Sequence, residues 1–369
     1  MEMNFNMPVK IISGEGCVTN SAEALCIGSR ALIVTGRSSA VKSGALADVT
    51  AVLEKNGVDY TVFDKISENP LMSVCFEGGA AASALGADFI IGIGGGSPLD
   101  ASKSIAAYAA NPDIAPQEIF TAALAPSLPI IAVPTTAGTG SEVNRYSVLT
   151  LDESNKKKTF SSDMSYPRAA FLDPRYTCSL SAGYTMSTAL DAFCHALESY
   201  LSPKATVLSS LAAEYAARSI WNIIRGGHEN SYTFLERREL MFAACAAGIA
   251  INTTGTGFPH PLGYNLTLSE HKIPHGRACG AFTGEYIAYN MRTDDGKCRL
   301  EAFSASLGCE ISDIAREIPA LAGVKLTLDA DTIARYVKNT ASAGNYKNSP
   351  YVINENEQAE IYRRLFGEK

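Results

Sequence analysis

Three of the five histidines and one aspartate are spaced as ligands of a single metal ion would be. Asp191 and His195 stand four residues apart in TALDAFCHALESYL, where the apolar residues recur at helical spacing, so both side chains leave the same helix face. His260 and His275 each lie next to a proline, near a helix end or bend, which favours convergence of their ring nitrogens. Three imidazoles and one carboxylate suit divalent iron, zinc, nickel or manganese. The spacing therefore predicts a metal site.

Two other histidines and one glutamate lie outside the predicted ligand set. His271, in SEHKIPH, is four residues before His275, but its charged neighbours favour a surface position or one behind the ligands. Glu198, seven residues after Asp191 on the same helix face, is predicted to support a ligand rather than to bind the metal. His228, in the polar turn RGGHENS, is predicted to be solvated.

Composition bounds the class of protein. The 369 residues, 46% hydrophobic and 19% charged, predict two domains. No apolar run reaches transmembrane length and the first residues lack a signal-peptide pattern, so we expect a cytoplasmic protein without a membrane partner. Nine cysteines without a CxxC pair indicate reduced thiols. A net charge of −7 and no basic run argue against a nucleic-acid partner.

The elements that must position the ligands change in character near residue 180. Before that point, apolar β-rich runs at 31–36, 60–66, 88–96 and 129–136 alternate with amphipathic helical stretches, which predicts a parallel sheet covered by helices. After it, the pattern is helical almost throughout. We therefore expect an α/β plus all-α chain: a Rossmann-like domain over 1–181 and a helical-bundle domain over 182–369. The metal site would face the carboxyl ends of the strands across a cleft.

A glycine turn in IIGIGGGSPLDASKSIA predicts a phosphate site. Its consecutive glycines are Gly94, Gly95 and Gly96. Ser97 is predicted as the N-cap of the next helix, Pro98 as its first residue, and Asp100 as the partner in a capping-box-like pattern. Uncovered backbone N–H groups at the positive end of a helix cradle a pyrophosphate. The spacing does not match GxGxxG, and the alternative is a tight strand-to-helix turn.

A second loop of small residues, PTTAGTGSEV at 134–143, follows another apolar strand. It offers hydroxyl groups from Thr135, Thr136, Thr139 and Ser141. Two such loops from one sheet are hard to explain by structure alone, so together they favour a nucleotide site.

Four motifs taken together, GGGSPLDASK, PTTAGTGSEV, LDAFCHALESYLS and HPLG…IPHG, resemble the iron-containing (group III) alcohol dehydrogenase family in order and separation. GEG at 14–16, ENP at 68–70 and LDP at 172–174 extend the match over nearly the whole chain. The resemblance implies a dinucleotide-binding domain, a helical domain and a divalent metal, with iron(II) expected and zinc(II) as the alternative. The family's metal ligands match Asp191, His195, His260 and His275.

The resemblance also assigns cofactor residues. It implies that Gly94–Ser97 holds the pyrophosphate and that Asp100 caps or orients this loop. Thr135, Thr136 and Ser141 would line the ribose and nicotinamide region. Lys158 resembles a family lysine near the cofactor, although Lys156 and Lys157 stand beside it. A homodimer is expected from the resemblance.

Two departures from the family pattern bear on the chemistry. Many members carry a histidine four residues after the third metal ligand, where this chain has Tyr264. Tyr264 or His271 could replace it as a proton relay, or the proton leaves through water and the cofactor ribose.

The second departure follows the strand ALIVT. NAD-using members tend to place an aspartate there, whereas this chain has four other residues: Gly36, Arg37, Ser38 and Ser39. A guanidinium and two hydroxyls suit a 2′-phosphate, so the sequence favours NADP(H) over NAD(H). The alternative is a simple turn with a solvated arginine.

The predicted activity is metal-dependent, NAD(P)-linked oxidation of an alcohol or reduction of an aldehyde. The segments around the ligands are mainly apolar and aromatic, which favours a small uncharged substrate. A glycerol or polyol dehydrogenase and a dehydroquinate synthase-like lyase of the same architecture are alternatives. A non-catalytic, metal-stabilised subunit is a second alternative.

Overall fold

Apolar runs between turns form the strands of the first half of the chain in the computed structural model, which describes residues 5–226 and 231–368. The strands in the described residues are β1 (Lys10–Ser13), β2 (Arg30–Gly36), β3 (Asp59–Ile66), β4 (Phe89–Gly94), β5 (Ile130–Pro134), β6 (Tyr146–Leu151), β7 (Lys156–Ser161) and β8 (Ala169–Leu172). Six of them form a parallel sheet in the order β1-β8-β5-β4-β2-β3, and β6 and β7 form a separate antiparallel pair.

The strand order places the predicted cofactor loops at one point of the sheet. From β2 the chain moves outward to β3, whereas from β4 it moves outward in the other direction to β5. The strands β2 and β4 are neighbours, with Thr35 opposite Ile93. Ligands of open α/β sheets bind beyond the carboxyl ends of the strands at such a reversal. The residues after β2 and after β4 are therefore well placed to share one ligand.

Helices cover both faces of this sheet. They are α1 (Cys17–Asn20), α2 (Ala22–Leu25), α3 (Ser39–Lys42), α4 (Ala45–Lys55), α5 (Met72–Leu85) and α6 (Gly96–Ala110). Side chains along a strand alternate between faces. Ile33 packs in a core cluster with residues of α1, α2 and α4, and Leu32 packs in a second cluster with residues of α5 and α6. Burial on both faces explains the continuous apolar runs of the central strands.

The second half of the chain is helical where the structure describes it. Its helices are α7 (Ala182–Leu201), α8 (Val207–Ile224), α9 (Phe234–Thr254), α10 (Pro259–Leu268), α11 (His275–Ala281), α12 (Thr283–Asn290), α13 (Asp294–Leu307), α14 (Ile311–Ala322), α15 (Ala330–Thr340) and α16 (Glu355–Phe366). The predicted fold class, a Rossmann-like parallel-sheet domain followed by a helical bundle, is confirmed.

The chain divides into two compact units. The α/β unit contains Asn6–Leu180 and also Thr233–Gly248, and the helical unit contains Ser181–Tyr232 and Ile249–Lys369. The predicted division at 181 and 182 is continuous in sequence and assigns Thr233–Gly248 to the helical half, whereas the contacts of this segment are with the α/β unit.

Two contacts of α9 explain the difference. The Arg237 guanidinium donates hydrogen bonds to the carbonyl oxygens of Thr177 (2.6 Å) and Leu180 (3.0 Å). Gly248 approaches Gly140 so closely that an added Cβ on Gly140 would lie 2.4 Å from the Gly248 Cα. Helical periodicity marks α9 as a helix but does not say which unit it packs on.

Over the residues that the structure describes, no single helix is long and apolar enough to span a membrane. The bent pair formed by Phe234–Thr254 and Pro259–Leu268 meets the length and composition requirement together.

Candidate metal centre and cofactor site

The helix α7 presents Asp191 and His195 side by side. Ser181 caps its start by accepting a hydrogen bond from the Tyr184 N–H (3.2 Å), and the helix is buried along most of its length. Asp191 and His195 are both buried, as the four-residue spacing on one face predicts. Burial of a carboxylate requires compensating positive charge nearby.

Three of the predicted ligands, the histidines, converge on one oxygen atom of the fourth, Asp191. Asp191 Oδ1 lies 3.8 Å from His195 Nε2, 3.7 Å from His260 Nε2 and 3.6 Å from His275 Nε2. These distances are too long for hydrogen bonds but fit atoms that share one cation. Asp191 Oδ1 and His260 Nε2 are buried and have no hydrogen-bond partner among the described residues. Because unsatisfied buried polar atoms are costly, this donor set fits a bound divalent metal.

Electrostatics at the cluster also favour a cation. Burial would raise the pKa of Asp191, but the imidazoles of His195, His275 and His260 outweigh it and hold that pKa below its usual range. Burial would lower the pKa of His260, but the carboxylates of Glu198 and Asp191 raise it to about 9. The carboxylates thus stabilise positive charge where the three imidazoles meet.

Glu198 fixes the orientation of one predicted ligand, His260. Its carboxylate is fully buried, lies 2.8 Å from His260 Nδ1 and accepts a hydrogen bond from the Gly257 N–H (2.6 Å). A proton on Nδ1 leaves Nε2 with a lone pair that faces Asp191. Glu198 therefore supports His260 from behind, in the role that the sequence favours for it.

His275 is placed by the start of α11. Pro274 occupies the N-cap position and His275 is the first helical residue. Gly276 follows because α11 lies against α7 there: an added Cβ would be 1.8 Å from the Ser187 carbonyl oxygen. The glycine allows the approach that brings His275 to Asp191.

Cys279 also belongs to this cluster and is not among the predicted ligands. Asp191, His260, His275 and Cys279 each offer a ligand atom, and these atoms lie within 4.8 Å of one another. The Cys279 Sγ lies 3.8 Å from both ring nitrogens of His275. Its position four residues after His275 on a helix is the sequence signal that could have identified it.

The two candidate proton relays differ in location. The Tyr264 ring stacks on that of His275, with centroids 5.7 Å apart. His271 is exposed, with its Nε2 4.0 Å from Glu270 Oε1. The structure thus brings Tyr264, and not His271, to the predicted metal ligands, whereas His228 lies outside the described residues.

The predicted phosphate turn has a different cap from the one expected. The helix α6 begins at Gly96 with Gly95 as N-cap and without a side-chain capping bond. The prediction of Ser97 as N-cap is therefore wrong, because Ser97 Oγ instead accepts a hydrogen bond from the Asn69 N–H (3.2 Å). Gly94 has φ 149°, which favours glycine. The uncapped N–H groups of the first turn suit an anion.

Asp100 is not part of a capping box, which corrects the second part of that prediction. Its carboxylate accepts hydrogen bonds from the Ser141 hydroxyl and from the Val148 N–H (2.9 Å). It also pairs with the buried Lys103 ammonium group at 3.7 Å. Burial raises the pKa of Asp100, with Lys103 and Ser141 opposing the shift. Asp100 therefore connects α6 to the second loop rather than capping its own helix.

Lys103 completes this connection and is not among the predicted site residues. It is fully buried and donates hydrogen bonds to Ser141 Oγ (2.7 Å), Asn144 Oδ1 (3.1 Å) and the Tyr146 carbonyl oxygen (2.7 Å). Burial lowers its pKa to about 8. A lysine within the motif GGGSPLDASK is the only signal in the sequence, and its acceptors lie far along the chain.

The two small-residue loops touch. An added Cβ on Gly95 would lie 3.1 Å from Thr136 Cγ2, and one on Gly96 would lie 2.6 Å from Thr139 Cγ2. Thr135 Oγ1 is buried and has no hydrogen-bond partner in the part of the chain described. The structure thus brings the glycine turn together with Thr135, Thr136, Thr139 and Ser141.

The segment after β2 lies at the strand reversal. Gly36 is the last residue of β2, and an added Cβ there would be 3.9 Å from Pro98 Cγ, next to the glycine turn. Arg37 and Ser38 are exposed and Ser39 begins α3. This segment and the glycine turn are therefore neighbours.

Lys158, for which the resemblance implies a place near the cofactor, contacts an aromatic ring. Its Nζ lies over the Phe120 ring, 4.2 Å from the centroid, on β7. Side chains of neighbouring strand residues point to opposite faces, and the charge of the adjacent Lys157 helps to lower the pKa of Asp100 against the effect of burial.

A parallel sheet with a helix-opening glycine turn, and a helical unit with three histidines around a carboxylate, together define a class of metal-dependent dinucleotide enzymes. Two family models match the chain: iron-containing alcohol dehydrogenase over residues 8–174, and the C-terminal domain of the Fe-containing alcohol dehydrogenase family over residues 185–343. The chain belongs to the iron-containing alcohol dehydrogenase family, and it is an oxidoreductase of that family.

Individual relatives agree with this assignment. The chain is 32% identical to the long-chain primary alcohol dehydrogenase AdhA of Thermoanaerobacter ethanolicus over 68% of its own length and 63% of that protein's length. It is 32% identical to the iron-containing alcohol dehydrogenase of Thermotoga maritima, with a TM-score of 0.91 over 99% of each chain. It is 27% identical to sulfoacetaldehyde reductase from Bifidobacterium kashiwanohense in complex with NAD+, with a TM-score of 0.86 over 99% of each chain.

Proposed function

We propose that this oxidoreductase transfers hydride reversibly between a nicotinamide cofactor and a small alcohol or aldehyde, with a divalent metal held by Asp191, His195, His260 and His275. The observation that carries the proposal is the meeting of three imidazole nitrogens around the buried Asp191 Oδ1, which has no hydrogen-bond partner among the described residues. When bound, the metal lowers the pKa of an alcohol or polarises a carbonyl, and the nicotinamide carries the hydride.

Each residue of the cluster has a different part in the proposed metal site. Asp191 supplies the one carboxylate ligand, so a divalent cation here keeps net positive charge. Glu198 holds His260 with Nε2 towards Asp191. Burial of Asp191, His195 and His260 excludes water from most of the cluster, which strengthens electrostatic interactions with a substrate oxygen.

For the metal we propose iron(II), with zinc(II) as the alternative. Three imidazole nitrogens and one carboxylate oxygen form a donor set that both ions accept. The match to a family described by its iron content favours iron.

For the cofactor we propose NADP(H) in preference to NAD(H). The support is the exposed Arg37 with two hydroxyl residues after β2, next to the glycine turn. A guanidinium forms paired, charge-assisted hydrogen bonds with a phosphate. The first turn of α6 would hold the pyrophosphate, and Thr135, Thr136, Thr139 and Ser141 would contact the rest of the cofactor.

The substrate oxygen also requires a route for its proton. His271 is exposed and contacts Glu270, which argues against it as the proton carrier. We favour release of the proton through water and the cofactor ribose. Tyr264 is the alternative carrier.

The test is oxidation of NADPH and of NADH with a panel of short aldehydes, on enzyme purified without oxygen and loaded with iron(II) or zinc(II). We expect chelator-sensitive turnover that is faster with NADPH. His275→Ala should hold the metal more weakly, through three side chains, and lose turnover while it keeps the circular dichroism spectrum, and the exposed Glu301→Gln serves as control. Turnover that survives complete metal removal would overturn the proposal.

We further propose a cytoplasmic homodimer. Light scattering of the purified chain tests the assembly: a mass near 39.1 kDa, that of one chain, would exclude it. Cell fractionation tests the location.

A further inference from the structure

A tyrosine ring lies against one of the metal-ligand rings. Tyr264 is four residues after His260, on the same face of α10. Its ring stacks on that of His275 with centroids 5.7 Å apart and an interplanar angle of 23°, and it meets the His260 ring edge-on at 6.5 Å. His260 and His275 are also edge-to-face, at 5.4 Å. The three rings form one aromatic cluster beside Asp191.

His275 is the ligand that needs such support. Its side chain is 25% exposed, against 7% for His195, 3% for His260 and 4% for Asp191. It also stands at the first position of a seven-residue helix, whereas the other ligands lie in longer helices. Residues at helix ends move more freely than those inside.

We propose that Tyr264 is a positioning residue that acts through its ring. The ring face keeps the His275 imidazole turned with Nε2 towards Asp191 and thereby slows release of the metal. The inference rests on the proposed metal site. The hydroxyl group of Tyr264 is not required for this role, which separates it from the proton relay considered above.

The physical basis is stacking of flat aromatic faces. Offset-stacked rings at such distances attract each other beyond the burial of their area. The Cys279 Sγ, 3.8 Å from the same imidazole, narrows its rotation further. Without the tyrosine ring, the His275 imidazole can turn away from the metal. The metal is then held by three side chains instead of four and is released faster.

The experiment measures metal release, without cofactor or substrate. Zinc-loaded protein is mixed with a chromogenic chelator, and the rate is compared for the native chain, Tyr264→Phe and Tyr264→Leu. We expect Phe to match the native rate within about twofold and Leu to release zinc about tenfold faster. Tyr215→Leu, an exposed tyrosine of the same unit, is the control and should leave the rate unchanged.

A double-mutant cycle separates positioning from general stability. In a His275→Ala background, Tyr264→Leu should have no further effect on zinc release, because the ring then has no ligand to hold. The cobalt-loaded Leu variant should show altered visible absorption bands, and Tyr264→His, another flat ring, should restore slow release. The His variant also answers the question if the Leu variant does not fold.

Three outcomes would overturn the inference. The first is native-rate release from Tyr264→Leu with intact metal binding, which leaves the proposed function standing. The second is release from Tyr264→Phe as fast as from the Leu variant, which assigns the role to the hydroxyl group. The third is a native chain that binds no zinc, cobalt or iron, which would overturn the proposed function as well.

Discussion

Glu198 and His260 form a buried pair in which a carboxylate oxygen lies 2.8 Å from the ring Nδ1. Glu198 is seven residues after Asp191 on α7, so one helix supplies a proposed metal ligand and also the group that orients a second proposed ligand on another helix. The carboxylate also accepts the Gly257 N–H, just before α10 begins. The orientation of His260 therefore depends on a residue that is not a ligand.

We expect Glu198→Gln to weaken metal binding about 10- to 100-fold, because an amide does not fix the imidazole tautomer and lacks the negative charge of the carboxylate. Competition titration with a chelator of known affinity measures this. Glu301→Gln, at an exposed glutamate of the same unit, should bind metal normally. Native metal affinity in Glu198→Gln would show that His260 is oriented by other groups.

Gly276→Ala should separate α11 from α7, because its Cβ would lie 1.8 Å from the Ser187 carbonyl oxygen. Overpacking of this kind costs about 1–3 kcal/mol, and here it also displaces the adjacent His275. We expect a lower melting temperature and less bound metal, measured by calorimetry and elemental analysis. In Gly183→Ala the added Cβ meets nothing within 4 Å, so this α7 variant should keep both values. Full metal content in Gly276→Ala would contradict the packing argument.

Arg37→Ala tests the proposed cofactor preference. Loss of a charge-assisted contact to a 2′-phosphate should raise KM for NADPH about 10- to 100-fold and leave KM for NADH nearly unchanged. Steady-state kinetics with both cofactors measure the split. Lys42→Ala removes another exposed cation from the same region and should change neither. An equal rise for both cofactors would remove the argument for NADP(H).

Glu142→Gln should change how stability depends on pH. Burial raises the pKa of Glu142 to about 7, with the Lys103 ammonium opposing the shift. In the unfolded chain this carboxyl group ionises near pH 4.5, whereas in the folded chain it keeps its proton up to about pH 7. Its contribution to the free energy of unfolding is therefore fully present below pH 4.5 and is lost as the pH rises through about 7. The loss amounts to at most about 3 kcal/mol. Glutamine cannot ionise. The melting temperature of Glu142→Gln should therefore rise relative to that of the native chain as the pH increases from 5 to 7.5. A constant difference across this range would refute the assignment.

The convergence of the four proposed ligands could be anticipated because histidine and aspartate at informative spacings are few in this sequence. Asp191 and His195 at i and i+4 on an apolar helix leave one face whatever the helix packs against. The proline beside His275 marks the end of a segment, and the structure makes it the N-cap of α11. Local rules were sufficient to place these side chains near one another, and their role as ligands stays a proposal.

Other residues depend on partners that local rules do not identify. Ser97 is a good N-cap by type, but its hydroxyl accepts a hydrogen bond from the Asn69 N–H, and the helix begins at Gly96, two residues before the predicted Pro98. Lys103 has a role only because acceptors about forty positions away fold around it. The short edge strand β1 and the pair β6 and β7 are not among the predicted strands, because they are short or partly exposed and carry no continuous apolar run.

The position of Asp191 Oδ1 among three histidines has a mechanical consequence. The three histidines around it lie on three different helices: His195 on α7, His260 on α10 and His275 on α11. A cation held there would cross-link three helices, much as a disulfide closes a loop, and would restrict their local unfolding. Loss of the proposed metal would therefore remove a cross-link as well as a reaction centre, and we expect faster proteolysis near the start of α11.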